Sequence, residues 1–145
     1  MAVGWVEAET NRHQDHVIAH VVGATPLGYF VADEAFHLVL DIGFIWTILV
    51  DGEMSLLPEK IALAELNISE DRRKLLTAGI RELRESDEVT EPKSITRAPE
   101  GCLVEAVGFY RDEDGRRCRF EIRGEQLSLC VEASSATGEF VANCF

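Results

Sequence analysis

The chain has 145 residues, with 26 Asp and Glu against 14 Lys and Arg, and a formal net charge of −12. That length holds one ordinary core, burying roughly two thirds of the unfolded surface without a metal or disulfide staple. A composition that is 46% hydrophobic and 28% charged excludes intrinsic disorder. The acidity disfavours nucleic acid and anionic membrane as partners, because both are recognised through Lys and Arg.

The acidity is local. Residues 1–57 hold eight acids (Glu7, Glu9, Asp15, Asp33, Glu34, Asp41, Asp51, Glu53) against the single base Arg12. The start of the chain has neither a basic n-region nor a long apolar h-region. The longest strongly apolar stretch, residues 42–50, is far short of the ~20 residues that a spanning helix needs. These features point to a soluble, cytoplasmic protein of one domain, 1–145. Cys102, Cys118, Cys130 and Cys144 lack the close pairs of a structural zinc site, and with no secretory signal they are expected as buried free thiols.

In chain order, Thr10 or Asn11 can cap a first helix to about residue 24, with Val17, Ile18, Val21 and Val22 as its apolar stripe. A strand over residues 16–22 competes with that helix. Residues 23–28, containing Pro26, form a turn or loop; residues 27–32 form a strand and Asp33-Glu34 its turn. From residue 36 to 50 every even position is apolar: Phe36, Leu38, Leu40, Ile42, Phe44, Trp46, Ile48 and Val50. Period two predicts a strand, and its length predicts a bend or bulge near Gly43. Asp51-Gly52 then turns into a return strand over residues 53–57. The odd face is polar at His37/Asp41 and apolar at Ile45/Leu49, so the second half needs cover on both faces.

Residues 58–68 suit a strand or a short helix. Ser69 caps a helix over 69–85, with Leu75, Leu76, Gly79, Ile80 and Leu83 buried, acids in its first turn and Arg81 and Arg84 in its last. The polar connection 86–100 leaves room for a short strand near Ile95. Residues 101–145 form a second meander of four segments, 102–110, 116–123, 126–133 and 139–145. Its pattern places Cys118 and Cys130 on opposite faces. The expected fold is α+β: a mainly antiparallel sheet of two meanders, curled, barrel-like or two-layered, with an N-terminal and a central helix.

All four histidines lie in the first 37 residues. On the first helix His13, His16 and His20 share one face, a spacing with which helices present imidazoles to a divalent transition metal. His37 or a carboxylate from Asp33, Glu34 or Asp41 would complete such a site, although the same spacing suits a solvent-facing edge. His16-Val-Ile-Ala-His20 lacks the Glu that serves zinc proteases as general base. His37 and Asp41 also form a candidate acid–base pair. Arg117, Arg119 and Arg123, with Arg111 and Arg116 near their turn, offer a seat for a small anionic ligand or for the acidic N-terminal part of a second copy. Phosphate-loop, dinucleotide and serine-hydrolase motifs are absent. The expected function is a non-catalytic binding module acting as a homodimer through the apolar end of the long strand. The alternative is a metal-dependent enzyme using the histidine cluster.

Overall fold

The computed structural model describes residues 5–50, 53–85, 95–98, 101–113, 117–134 and 137–144. Among these the fold is α+β, with two antiparallel five-stranded sheets, neither closed into a barrel, and three helices. One sheet has the order β1 (Trp5–Glu7), β7 (Val104–Asp112), β8 (Arg117–Gly124), β9 (Leu129–Ser134), β10 (Phe140–Cys144). The other runs β5 (Met54–Pro58), β4 (Phe44–Leu49), β3 (Ala35–Leu40), β2 (Pro26–Ala32), β6 (Thr96–Arg97). The helices are α1 (Arg12–Val21), α2 (Glu59–Glu65) and α3 (Glu70–Glu85). None of them is long and apolar enough to cross a membrane.

The long alternating segment is not one bent strand. It is a hairpin, β3 and β4 joined by the three residues Asp41, Ile42 and Gly43, with Gly43 at φ 82°. Glycine adopts that left-handed conformation without the steric cost other residues bear, and three-residue hairpin loops favour it. The register pairs Phe36 with Ile48, Leu38 with Trp46, His37 with Thr47 and Val39 with Ile45. Because the reversal is centred on Ile42, even positions stay opposite even positions. The alternation therefore crosses the turn unbroken, which is why it looks like one strand in the sequence.

That parity sorts the side chains into two cores. Phe36, Leu38, Leu40, Trp46 and Ile48 join Val104, Phe109, Phe120, Ile122 and Val131 of the other sheet in one buried cluster, with Val17 and Val21 of α1. The Phe36 ring lies 6.0 Å from those of Phe120 and Phe140. On the opposite face Val39 and Ile45 pack with Phe30 and with Ala62, Leu63, Leu76, Ile80 and Leu83 of α2 and α3. All six residues of β3 are buried. The cover required on both faces of the long strand thus comes from within the chain at Ile45, while Leu49 stays 40% exposed.

Three arginines of α3 tie the helices to the second sheet and to each other. Arg72 donates to the Val31 carbonyl at 2.8 Å, and Arg73 donates to the Leu63 and Leu66 carbonyls at the end of α2. Arg84 donates to the Leu40 carbonyl and pairs with Glu59. Ser69 caps α3 by accepting the Arg72 N–H at 3.2 Å. Residues 59–65 resolve as a helix, and the short strand near Ile95 is β6. The buried stripe of α3 narrows to Leu76, Ile80 and Leu83, since Leu75 is 59% exposed. Helix α1 ends at Val21, so Val22 leaves its stripe and is exposed. Strand β1 has no counterpart in the sequence reading. The Asp51-Gly52 turn, Arg116 and most of the 86–100 connection lie outside the described residues.

Candidate functional site

Asn11 and Gln14 start α1 with a reciprocal cap: Asn11 Oδ1 accepts the Gln14 N–H at 2.7 Å, and Gln14 Oε1 accepts the Asn11 N–H at 2.9 Å. This sets the helix phase, which buries Val17 and Val21 and turns His13, His16 and His20 to the face beside them. The helix packs along β5, the edge strand of its sheet. His13 Nε2 lies 2.9 Å from the Met54 carbonyl, so the ring donates to a backbone acceptor of β5. Between helix and edge lies a groove of about 380 Å³, lined by His13, His16, Val17 and His20 on one side and Phe44, Ser55, Leu56 and Leu57 on the other. The His16 and His20 rings meet edge-on with centroids 4.7 Å apart. The three helical histidines are therefore brought together along one wall.

His37 is elsewhere. It lies on the helix-covered face of β3, 2% exposed, with its ring stacked on Phe30 at 4.7 Å. Its Nε2 is 2.9 Å from the Ala32 carbonyl and its Nδ1 is 2.8 Å from Thr47 Oγ1. A carbonyl only accepts, so Nε2 carries the proton, and in the neutral ring Nδ1 accepts from the Thr47 hydroxyl. Burial holds the His37 pKa below its ordinary value and the Arg72 charge adds to this; the Ala32 hydrogen bond and the Asp33 carboxylate oppose it without prevailing. His37, Thr47 and Ser55 form one cross-strand row beside a cavity of about 150 Å³ lined also by Leu57, Ala62 and Leu66.

The carboxylates do not join the histidine groove. Asp41 lies in the β3–β4 loop and accepts the Thr25 N–H at 2.9 Å, so the His37/Asp41 pairing expected of one continuous strand is replaced by His37/Thr47. Asp33 and Glu34 form the β2–β3 turn with φ of 52° and 58°, and Asp33 accepts the Asn67 N–H of the α2–α3 junction. Among the described residues no three His, Cys, Asp or Glu side chains come together as a metal-binding group.

The arginine face of β8 is interleaved with acid. Arg119 pairs with Glu121 at 3.0 Å and Glu132 at 3.6 Å and lies 5.9 Å over the Trp5 ring, and Arg123 reaches Glu121 at 3.9 Å. Arg117 is exposed beside Glu132 and Glu139. Partly covered pairs at a protein surface are worth on the order of 1 kcal/mol each, but they offset the positive field an anion would need. Cys102, Cys118 and Cys130 are buried. Cys118 belongs to the core shared by the sheets and Cys130 does not, as the strand alternation requires. Burial pushes the Cys130 thiol up, against the pull of Arg119 and with help from Glu132 and Glu121, so it is not a ready nucleophile.

Sequence reasoning missed Phe44, Ser55, Leu56 and Leu57, which enter the groove only because β5 is an edge strand beneath α1. It also missed Thr47, which is placed opposite His37 by the hairpin register. No protein-family model matches the chain, and comparison with curated proteins and with solved structures returns no match.

A neutral buried His37 makes stability pH-dependent. The folded pKa lies below the unfolded value of about 6.5, so the unfolded chain takes up the proton first; stability is full above that pH and falls as pH drops below it, by at most about 1.4 kcal/mol per unit. Urea unfolding of the parent and His37→Gln between pH 7.5 and 5 should show this loss in the parent and a smaller one in the variant. An NMR titration of the parent supplies the direct check: an imidazole signal of His37 that protonates at or above pH 6.5 contradicts the assignment.

Proposed function

We propose that the protein is a non-catalytic binding module whose ligand seat is the groove between α1 and β5. The observation that carries this is the chemistry of the lining: an apolar floor of Val17, Phe44, Leu56 and Leu57 beside three imidazoles on one wall. An apolar concavity with a few convergent polar groups is the usual form of a small-molecule site. The ligand class that fits is a small aromatic or aliphatic molecule carrying one or two hydrogen-bonding groups for the histidines. The His37 row is the weaker candidate for chemistry, since both ring nitrogens already have partners within the fold.

Indole is a suitable probe. Titrated into the protein, it should shift the methyl signals of Val17, Leu56 and Leu57, and Phe44→Ala should weaken binding about tenfold, near the worth of one aromatic contact at roughly 0.5–1.5 kcal/mol. Methyl shifts scattered over both cores, or none at all, would contradict the seat.

Homodimer assembly is a second reading, favoured by a different observation. The apolar end of the long strand is covered at Ile45, but among the described residues β10 is an outer strand, and its residues Phe140, Val141, Ala142, Asn143 and Cys144 carry no charge. Natural edges are usually blunted by Lys, Pro or a bulge. Two copies of β10 pairing antiparallel across a two-fold axis would join two sheets without placing like charges opposite each other. Light scattering should give twice the chain mass for the parent and a monomer for Val141→Lys. A monomeric parent at every concentration rules this assembly out.

A further inference from the structure

We infer that His16 and His20 form a two-imidazole clamp for a late divalent transition metal such as Ni²⁺ or Zn²⁺. The inference goes beyond occupancy of the groove by an apolar molecule and stands whether or not such a molecule binds. Of the four histidines the structure sets two aside. His37 is buried with both nitrogens hydrogen-bonded, and His13, held at the Met54 carbonyl, does not complete a group of three ligands with His16 and His20 among the described residues. His16 and His20 are exposed, one helical turn apart on α1, with their rings already in contact at 4.7 Å between centroids. Among the described residues neither ring has a hydrogen-bond partner to give up.

Imidazole nitrogens bind such metals at about 2.0–2.1 Å. Two rings this close need only side-chain rotation to bring one nitrogen each onto a shared ion, and imidazole is a preferred donor for nickel, copper and zinc. With the helix fixed by its Asn11–Gln14 cap and by Val17 and Val21 in the core, the second imidazole binds intramolecularly, which is the source of the chelate gain. Among the described residues no third protein ligand joins the pair. The remaining coordination positions fall to water or to a donor atom of a molecule lying against Phe44, Leu56 and Leu57. The clamp is thus a metal-holding rim on the groove, in place of the closed site that the three helical histidines with His37 or a carboxylate would have made.

The test uses the metal-free, tag-free full chain. Calorimetry with Ni²⁺ should show one site. His16→Ala and His20→Ala, both at exposed positions, should each weaken it on the order of a hundredfold, the scale of a lost intramolecular second contact. Paramagnetic Ni²⁺ at low occupancy should broaden the imidazole signals of His16 and His20 before any others. Parent-like affinity in both variants overturns the clamp, as does a loss in His13→Gln as large as that in His20→Ala. A failed indole titration with intact Ni²⁺ binding would remove the apolar seat and leave the clamp, and the reverse result would do the opposite.

Discussion

The structure depends on one strand being buried from both sides. Phe36, Leu38 and Leu40 of β3 belong to the cluster shared with the other sheet, and Val39 belongs to the cluster beneath α2 and α3. Burial of a large apolar side chain contributes roughly 1.5–3 kcal/mol, against about 0.5–1.5 kcal/mol for a typical hydrogen bond. The double wall formed by β3 and β4 therefore decides the arrangement, and the arginine contacts to Val31, Leu63, Leu66 and Leu40 adjust it. Burial on both faces is the habit of parallel sheets flanked by helices. Here an antiparallel hairpin achieves it because the second sheet covers one face and the helical pair the other.

His37 is the buried titratable residue of this wall, and its neutrality follows from its place there. A charged imidazole among Phe30, Val39 and the helices would need solvation that the site withholds, so the ring is kept neutral between the Ala32 carbonyl and the Thr47 hydroxyl. The groove follows from the opposite circumstance. Among the described residues strand β5 has no further strand beyond it, and α1 covers that edge through Val17, Val21 and the His13 hydrogen bond to Met54. A helix laid along a sheet edge leaves a trough between its outward face and the strand. The residues of α1 that border this trough are three histidines and Val17.

Much of the fold was legible because hydrophobic period is set by burial. The cap at Asn11, the helix after Ser69, the four-strand C-terminal meander and the opposite facing of Cys118 and Cys130 all follow from local pattern. The β3–β4 hairpin was hidden by arithmetic: a three-residue loop centred on Ile42 preserves parity, so the alternation gives no sign of reversal. Asp41 and Gly43 were the only local signals, and a bulge explains them equally well. Strand β1 is three residues long and owes its pairing to β7, a long-range contact that short local sequence does not encode. The shared face of His13, His16 and His20 could be read from helical spacing. The engagement of His13 with β5, and the separation of His37, Asp33, Glu34 and Asp41 from that face, depend on tertiary contacts.

The proposed ligand seat lies in the acidic, histidine-bearing N-terminal third, and the double wall is what holds that part of the fold in place. Native-state hydrogen exchange tests that claim most directly, because amides open with free energies from near zero up to that of global unfolding. Amides of Phe36–Leu40 and Ile45–Ile48 should exchange only through global unfolding, with those of α1 opening at lower cost. Exchange of the β3 amides by a smaller opening, in step with α2 and α3 while the other sheet stays protected, would contradict it.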